Sequence, residues 1–146
     1  MEILSKLSGR LAELMKESDL STPLLARQTG IDQSVIARIL HAERMPSAKT
    51  LSALADFFAC STDYLLGRKD LPDERTFLPR PPFCERLGEL LAHFQVTKYR
   101  LEQETGLTEE TVNRWQKGAY EPSVESLIRL ADHFGCSVDF ILGRER

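Results

Sequence analysis

The 146-residue chain has few of the features that mark several large classes of protein. It holds only three cysteines, an odd and small number that a secreted disulfide framework would not leave, so free thiols in a reducing cytoplasm are expected. No apolar run approaches the roughly 18 residues needed to span a bilayer. The stretch Met1-Glu2-Ile3-Leu4-Ser5-Lys6 also lacks a basic segment leading into an apolar one, so neither membrane association nor export is expected. Positive charge is not in excess: 19 Lys and Arg stand against 22 Asp and Glu, for a formal net charge of −3. That balance excludes a protein that coats nucleic acid indiscriminately and confines any basic surface to a local patch. With 42% hydrophobic and 28% charged residues, eight Gly and seven Pro, disorder and fibrous repeats are excluded as well. The length suits one domain or two small ones.

Self-similarity at a fixed offset decides between them. Arg10-Leu11-Ala12-Glu13-Leu14 recurs as Arg86-Leu87-Gly88-Glu89-Leu90, and Thr29-Gly30-Ile31 recurs as Thr105-Gly106-Leu107, 76 residues later. The same offset carries Pro46-Ser47 onto Pro122-Ser123, Leu54-Ala55-Asp56 onto Leu130-Ala131-Asp132, Cys60-Ser61 onto Cys136-Ser137 and Leu66-Gly67-Arg68 onto Leu142-Gly143-Arg144. Roughly a third of the paired positions are identical. Two copies of one domain are predicted, over residues 1–68 and 83–146, joined by a semi-extended linker over 69–82 that holds four prolines. Leu71, Phe77 and Leu78 leave docking of that linker as the alternative.

Each copy reads as five short helices. Leu7, Leu11, Leu14 and Met15 recur at helical spacing, and this first helix ends near Asp19. Ser21 or Thr22 is expected to cap the second helix, with Pro23 in its first turn, and Gly30 to close it. Asp32 is expected to cap the third helix, with Val35, Ile36 and Ile39 inward. Pro46-Ser47 starts a fourth with Leu51, Leu54, Ala55 and Phe58 inward, and Ser61 caps a last turn stopped by Gly67. In the second copy the caps are Thr97, Thr108, Ser123 and Ser137. Its inward residues are Leu101, Leu107, Val112, Trp115, Leu127, Leu130, Phe134 and Phe140. The fold class is therefore all-α.

A short helix, a glycine turn, a second helix and a Pro-Ser start resemble the Cro and phage-repressor family, also called the XRE family, of helix-turn-helix proteins. In the second copy the run Thr105-Gly106-Leu107-Thr108 to Arg114-Trp115-Gln116-Lys117-Gly118, then Pro122-Ser123 and Leu130-Ala131, carries the likeness. In the first it is carried by Leu25-Ala26, Gly30-Ile31, Val35-Ile36, Pro46-Ser47 and Asp63-Tyr64-Leu65-Leu66-Gly67. The resemblance implies two tandem five-helix, lambda-repressor-like domains, double-stranded DNA as partner, and a transcriptional regulator, by resemblance a repressor.

A major groove about 12 Å wide accepts one α-helix, whose outer face meets the base edges. With Val35, Ile36 and Ile39 inward, Gln33, Ser34, Ala37 and Arg38 are left outward as base-reading candidates. Gln33 suits adenine, and Arg38 suits guanine or a phosphate. Thr22 is placed for a phosphate, and His41, Arg44 and Lys49 flank the groove edge. The second copy offers Glu109, Glu110, Asn113 and Arg114, with Lys98 and Lys117 facing phosphates. A carboxylate can accept from cytosine N4, yet two beside a phosphate wall repel, and both also suit the first turn of a solvated helix. The acidic excess lies in this copy: residues 1–70 hold nine basic and nine acidic side chains, residues 83–146 eight and eleven. Glu102 departs from the family, standing where the first copy has the small Ala26, and a shift of that helix is expected. A linker of about 15 residues could extend roughly 50 Å, more than the 34 Å between neighbouring half-sites. Because the two faces differ, the expected site is not a clean palindrome.

A second class of function is a protein-interaction module or homodimer in which the second copy, or both, has lost DNA contact. No enzyme, cofactor or metal is expected. Cys60 and Cys136 read as packing residues, Cys84 is unmatched, and His133 with Cys136 has ligand-like spacing but no second pair. His41 and His93 lie in no catalytic motif, and Trp115, in place of Ile39, reads as core.

Overall fold

Helices start where a hydroxyl side chain can satisfy the first unpaired amides. The computed structural model describes residues 2–72 and 76–146, which are helical and contain no strand. They fall into two compact units, Met1–Phe77 and Leu78–Arg146. The first holds α1 (Glu2–Glu17), α2 (Thr22–Thr29), α3 (Gln33–Leu40), α4 (Ala48–Phe57) and α5 (Thr62–Leu65). The second holds α6 (Phe83–Phe94), α7 (Lys98–Thr105), α8 (Glu109–Lys117), α9 (Val124–Phe134) and α10 (Val138–Leu142). Ser21, Ser47 and Ser61 accept the amides of Leu24, Thr50 and Tyr64. Their counterparts 76 residues on, Thr97, Ser123 and Ser137, accept those of Arg100, Ser126 and Phe140. Gly30 and Gly106 both stand at φ 75°, a left-handed conformation that only glycine adopts cheaply, and so turn the chain between the two central helices of each unit.

Asp32 corrects an expectation. It occupies the N-cap of α3, but its side chain makes no capping bond. Its backbone, at φ −59° and ψ 133°, differs from the extended geometry of Thr108, which at the matching place accepts the Thr111 amide.

Both cores are apolar stripes closed on one another. In unit 1, α1 packs on α3 and α5, α2 on α3 and α4, and α4 on α5; in unit 2, α6, α7, α8, α9 and α10 repeat the scheme. Leu7, Leu11, Ile36, Ile39, Leu51 and Leu54 are buried in the first, and Leu101, Val112, Trp115, Leu127 and Leu130 in the second. Leu14, Val35, Phe58, Phe134 and Phe140, expected inward, are only half-buried. Phe134 stacks on Phe94 with centroids 4.1 Å apart, and Phe140 lies under the Arg86 guanidinium at 4.8 Å, where the cation holds the ring at the rim.

The repeat extends to polar ties. Arg10 donates to the Tyr64 carbonyl at 2.9 Å and lies 3.8 Å over the Tyr64 ring, joining α1 to α5. Arg86 donates twice to the Phe140 carbonyl, at 3.1 and 2.6 Å, joining α6 to α10. Arg68 pairs with Asp63 at 2.9 Å, and Arg144 pairs with Asp139.

Within the proline-rich segment, the Leu78 amide donates to the Arg144 carbonyl and Arg80 pairs with Glu121, so these residues belong to unit 2. Leu71 is exposed. The Lys69 amide still bonds within unit 1, to the Asp63 carbonyl. Of the three residues that left docking of the linker as the alternative, Phe77 is half-buried at the end of unit 1.

Glu102 takes the place of Ala26 on α7, which keeps the neighbours of its counterpart by packing on α8 and α9. The side chain is buried, and its Oε2 has no hydrogen-bond partner among the described residues. A buried acceptor without a donor costs about 1–3 kcal/mol. Glu102→Ala is therefore expected to stabilise unit 2 by an amount of that order, read as a higher urea midpoint of the fluorescence of Trp115, the one tryptophan in the chain. An unchanged or lower midpoint would refute it.

Candidate nucleic-acid interface

Burial on one side of α3 determines what the other side presents. Ile36 and Ile39 are inside, at 0% and 1% exposure. Gln33, Ser34 and Arg38 are exposed on the opposite face, and Ala37 is half-buried between them. No side-chain bond to Gln33, Ser34 or Arg38 exists among the described residues, so all three are free to meet a ligand. At the start of α2, Ser21 takes the Leu24 amide and Pro23 has no amide. Half-buried Thr22 is left with a hydroxyl and an amide at the positive end of the helix. His41, Arg44 and Lys49 are all exposed. Arg38 and Arg44 line one notch of about 280 Å³ with Val35, Met45, Ser47 and Thr50. Two guanidinium groups with no carboxylate on the notch wall favour an anion there.

The matching face of α8 is built from the same positions but carries different bonds. Val112 and Trp115 are buried, Trp115 meeting Phe83 edge-on at 5.7 Å. Glu109, Glu110, Arg114 and Lys117 are exposed, and Asn113 and Lys98 are half-buried. The Lys98 ammonium donates to the Asn113 side-chain carbonyl, so these two candidates are brought together. Arg114 Nη2 donates to Glu110 Oε1 at 2.5 Å, and its guanidinium carbon lies 5.4 Å from the centroid of the Tyr120 ring. Lys117 and Glu109 make no such bond among the described residues and line the same shallow depression. On the outer side of α7, Arg100 donates to Glu104 at 2.9 Å and holds that carboxyl below the usual carboxylate range. The Arg100 charge is thereby engaged by a carboxylate of its own helix.

Two residues enter that sequence pattern did not single out. Val35, counted as core, reaches the notch beside Arg38. Tyr120 had a signal that was available: the offset of 76 places it opposite Arg44, already a groove-edge candidate. The remaining singled-out side chains are accounted for by packing. Cys60 is buried, Cys84 and Cys136 are half-buried, and none of the three is in a disulfide. His93 lies against Phe94 and Phe140, and His133 Nε2 is 3.3 Å from Glu104 Oε1. No helix among the described residues is long and apolar enough to cross a membrane.

Residues 11–65 match the helix-turn-helix family model, and residues 86–145 match the model of the Cro/C1-type HTH DNA-binding domain. No curated protein and no solved structure matches the chain. With a glycine-turned helix pair at the centre of each unit and a family match over each, the chain belongs to the Cro/C1-type helix-turn-helix family, as a DNA-binding regulator with two such domains in tandem.

Proposed function

We propose that the protein is a sequence-specific transcriptional repressor that reads the major groove with α3 of its first domain and α8 of its second. The observation that carries this reading is the outer face of α3, where Gln33, Ser34 and Arg38 are exposed and make no side-chain bonds within the protein. Such groups need no internal contact broken before they meet base edges. Gln33 offers the paired donor and acceptor that adenine presents in reverse, and Arg38 the two parallel donors that suit guanine. Thr22, His41, Arg44 and Lys49 hold the backbone on either side, and occupancy of the duplex excludes other proteins from it. In the second domain Asn113 and Arg114 read, while Lys98 and Lys117 face phosphates. The domain boundaries proposed for this function are residues 1–68 and 83–146; within the stretch 69–82 between them, Leu78 and Arg80 are tied to the second domain.

Association is expected to weaken linearly with log salt, at a slope near −0.9 for each phosphate neutralised. Lys49→Ala is expected to make that slope shallower by about one unit while leaving the selected sequence unchanged. Duplex binding that ignores both salt and sequence would refute the proposal. It would favour the rival class, a protein-interaction or homodimerisation module, for which the exposed Glu109 and Glu110 are the supporting observation.

A further inference from the structure

The two reading arginines, Arg38 and Arg114, occupy identical positions in the repeat but different surroundings. Arg38 shares its notch with a second cation, Arg44. At the place of Arg44 the second domain has Tyr120, at the place of Ser34 it has Glu110, and both contact Arg114. We infer that Tyr120 and Glu110 are positioning and specificity-determining residues: they brace the Arg114 guanidinium so that the second domain reads a guanine together with a neighbouring cytosine. The inference rests on the proposal that α8 enters the major groove.

The chemistry follows from the two contacts. An exposed arginine samples many rotamers, and bidentate pairing with guanine O6 and N7 requires one orientation of the planar fork. Glu110 Oε1 engages Nη2 from one side at 2.5 Å, and the Tyr120 ring lies 5.4 Å from the guanidinium carbon. Between them they restrict the rotation of the fork before DNA arrives, which lowers the ordering cost of binding. The carboxylate oxygen not bonded to Arg114 remains an acceptor. In a groove the base it suits is cytosine, whose N4 amino group donates there. The repulsion expected of Glu110 near phosphates is offset by the cation that it holds. Tyr120 is 61% exposed, so it has no core role that would account for its contact with Arg114.

The test is selection from a random-core duplex library by the full chain and four variants, followed by affinity measurements on the selected duplex. Wild-type protein is expected to select a guanine that Arg114→Ala no longer selects. Tyr120→Ala should weaken binding to that duplex roughly two- to fivefold, the range of one exposed cation–π contact, and should flatten the preference at that guanine. Tyr120→Phe keeps the ring and should behave as wild type. Glu110→Ala removes one brace and the acceptor together, so it should weaken the preference for the guanine and lose that for the adjoining cytosine. Thermal melting should be unchanged in all four, because the three positions are exposed. Equal selection and affinity for Tyr120→Ala and wild type would overturn the bracing, as would Tyr120→Phe behaving like Tyr120→Ala. Arg114→Ala without effect would instead refute the reading by α8, and the inference with it.

Discussion

Arg38→Ala is expected to lower affinity for the selected duplex by about 1–3 kcal/mol, roughly five- to 150-fold, and to remove the preference for one base pair. Both effects follow from its position. Arg38 projects from the face of α3 opposite buried Ile36 and Ile39, and no carboxylate within the described residues holds it. Its deletion therefore costs the fold little, so lost binding is not lost structure. A phosphate contact such as Lys49 is expected to behave otherwise, weakening all duplexes alike. The decisive measurement is repeated selection from a random library with the variant. If the recovered sites equal those of the wild type, Arg38 does not read a base.

Asp139→Ala is expected to destabilise the second domain by about 3–5 kcal/mol, the usual cost of removing one partner from a buried ion pair. Asp139 and Arg144 have side-chain exposures of 0% and 1%, so the guanidinium left behind has no solvent to replace the carboxylate. A domain of this size has a total stability of roughly 3–10 kcal/mol, so most of it would be lost. Urea unfolding followed by Trp115 fluorescence checks this, since Trp115 is in the second core. Its transition should move to low denaturant in Asp139→Ala. Replacing Asp139 by Leu and Arg144 by Met together should restore much of the loss, because no unpaired charge then remains buried. The equivalent Asp63→Ala change should cost less, because Arg68 is 24% exposed and can be solvated. An unmoved Trp115 transition in Asp139→Ala would show that the pair does not support the domain.

Much of this architecture is legible before any coordinates. A fixed offset of 76, hydroxyl residues ahead of each apolar stripe and glycine between the two central helices are local signals, and local physics acts on them directly. What escaped was settled by neighbours distant in sequence. Ala42 and Ala59 adopt φ of 54° and 53° where the second copy has Gly118 and Gly135. The packing of whole helices imposes on alanine a conformation that its own preference opposes. Val35 satisfies the periodicity of a core residue, yet the start of α4 leaves it at the edge of a notch. Glu102 stands out in the sequence only by replacing Ala26; that its carboxyl is buried, with no partner for Oε2 among the described residues, follows from the packing of α7 on α8 and α9.

Two copies, their helices, and the side of α3 and α8 that faces outward can be read from local signals alone, because caps, turns and helical period act over a few residues and repeat without slipping. Which outward groups are free and which are engaged depends on the packed helices. Arg38 and Arg114 are the same residue at the same position of the repeat, and what surrounds a charge depends on side chains that meet only when the helices pack. Arg44 brings a second cation to one, and Glu110 with Tyr120 brings a carboxylate and a ring to the other.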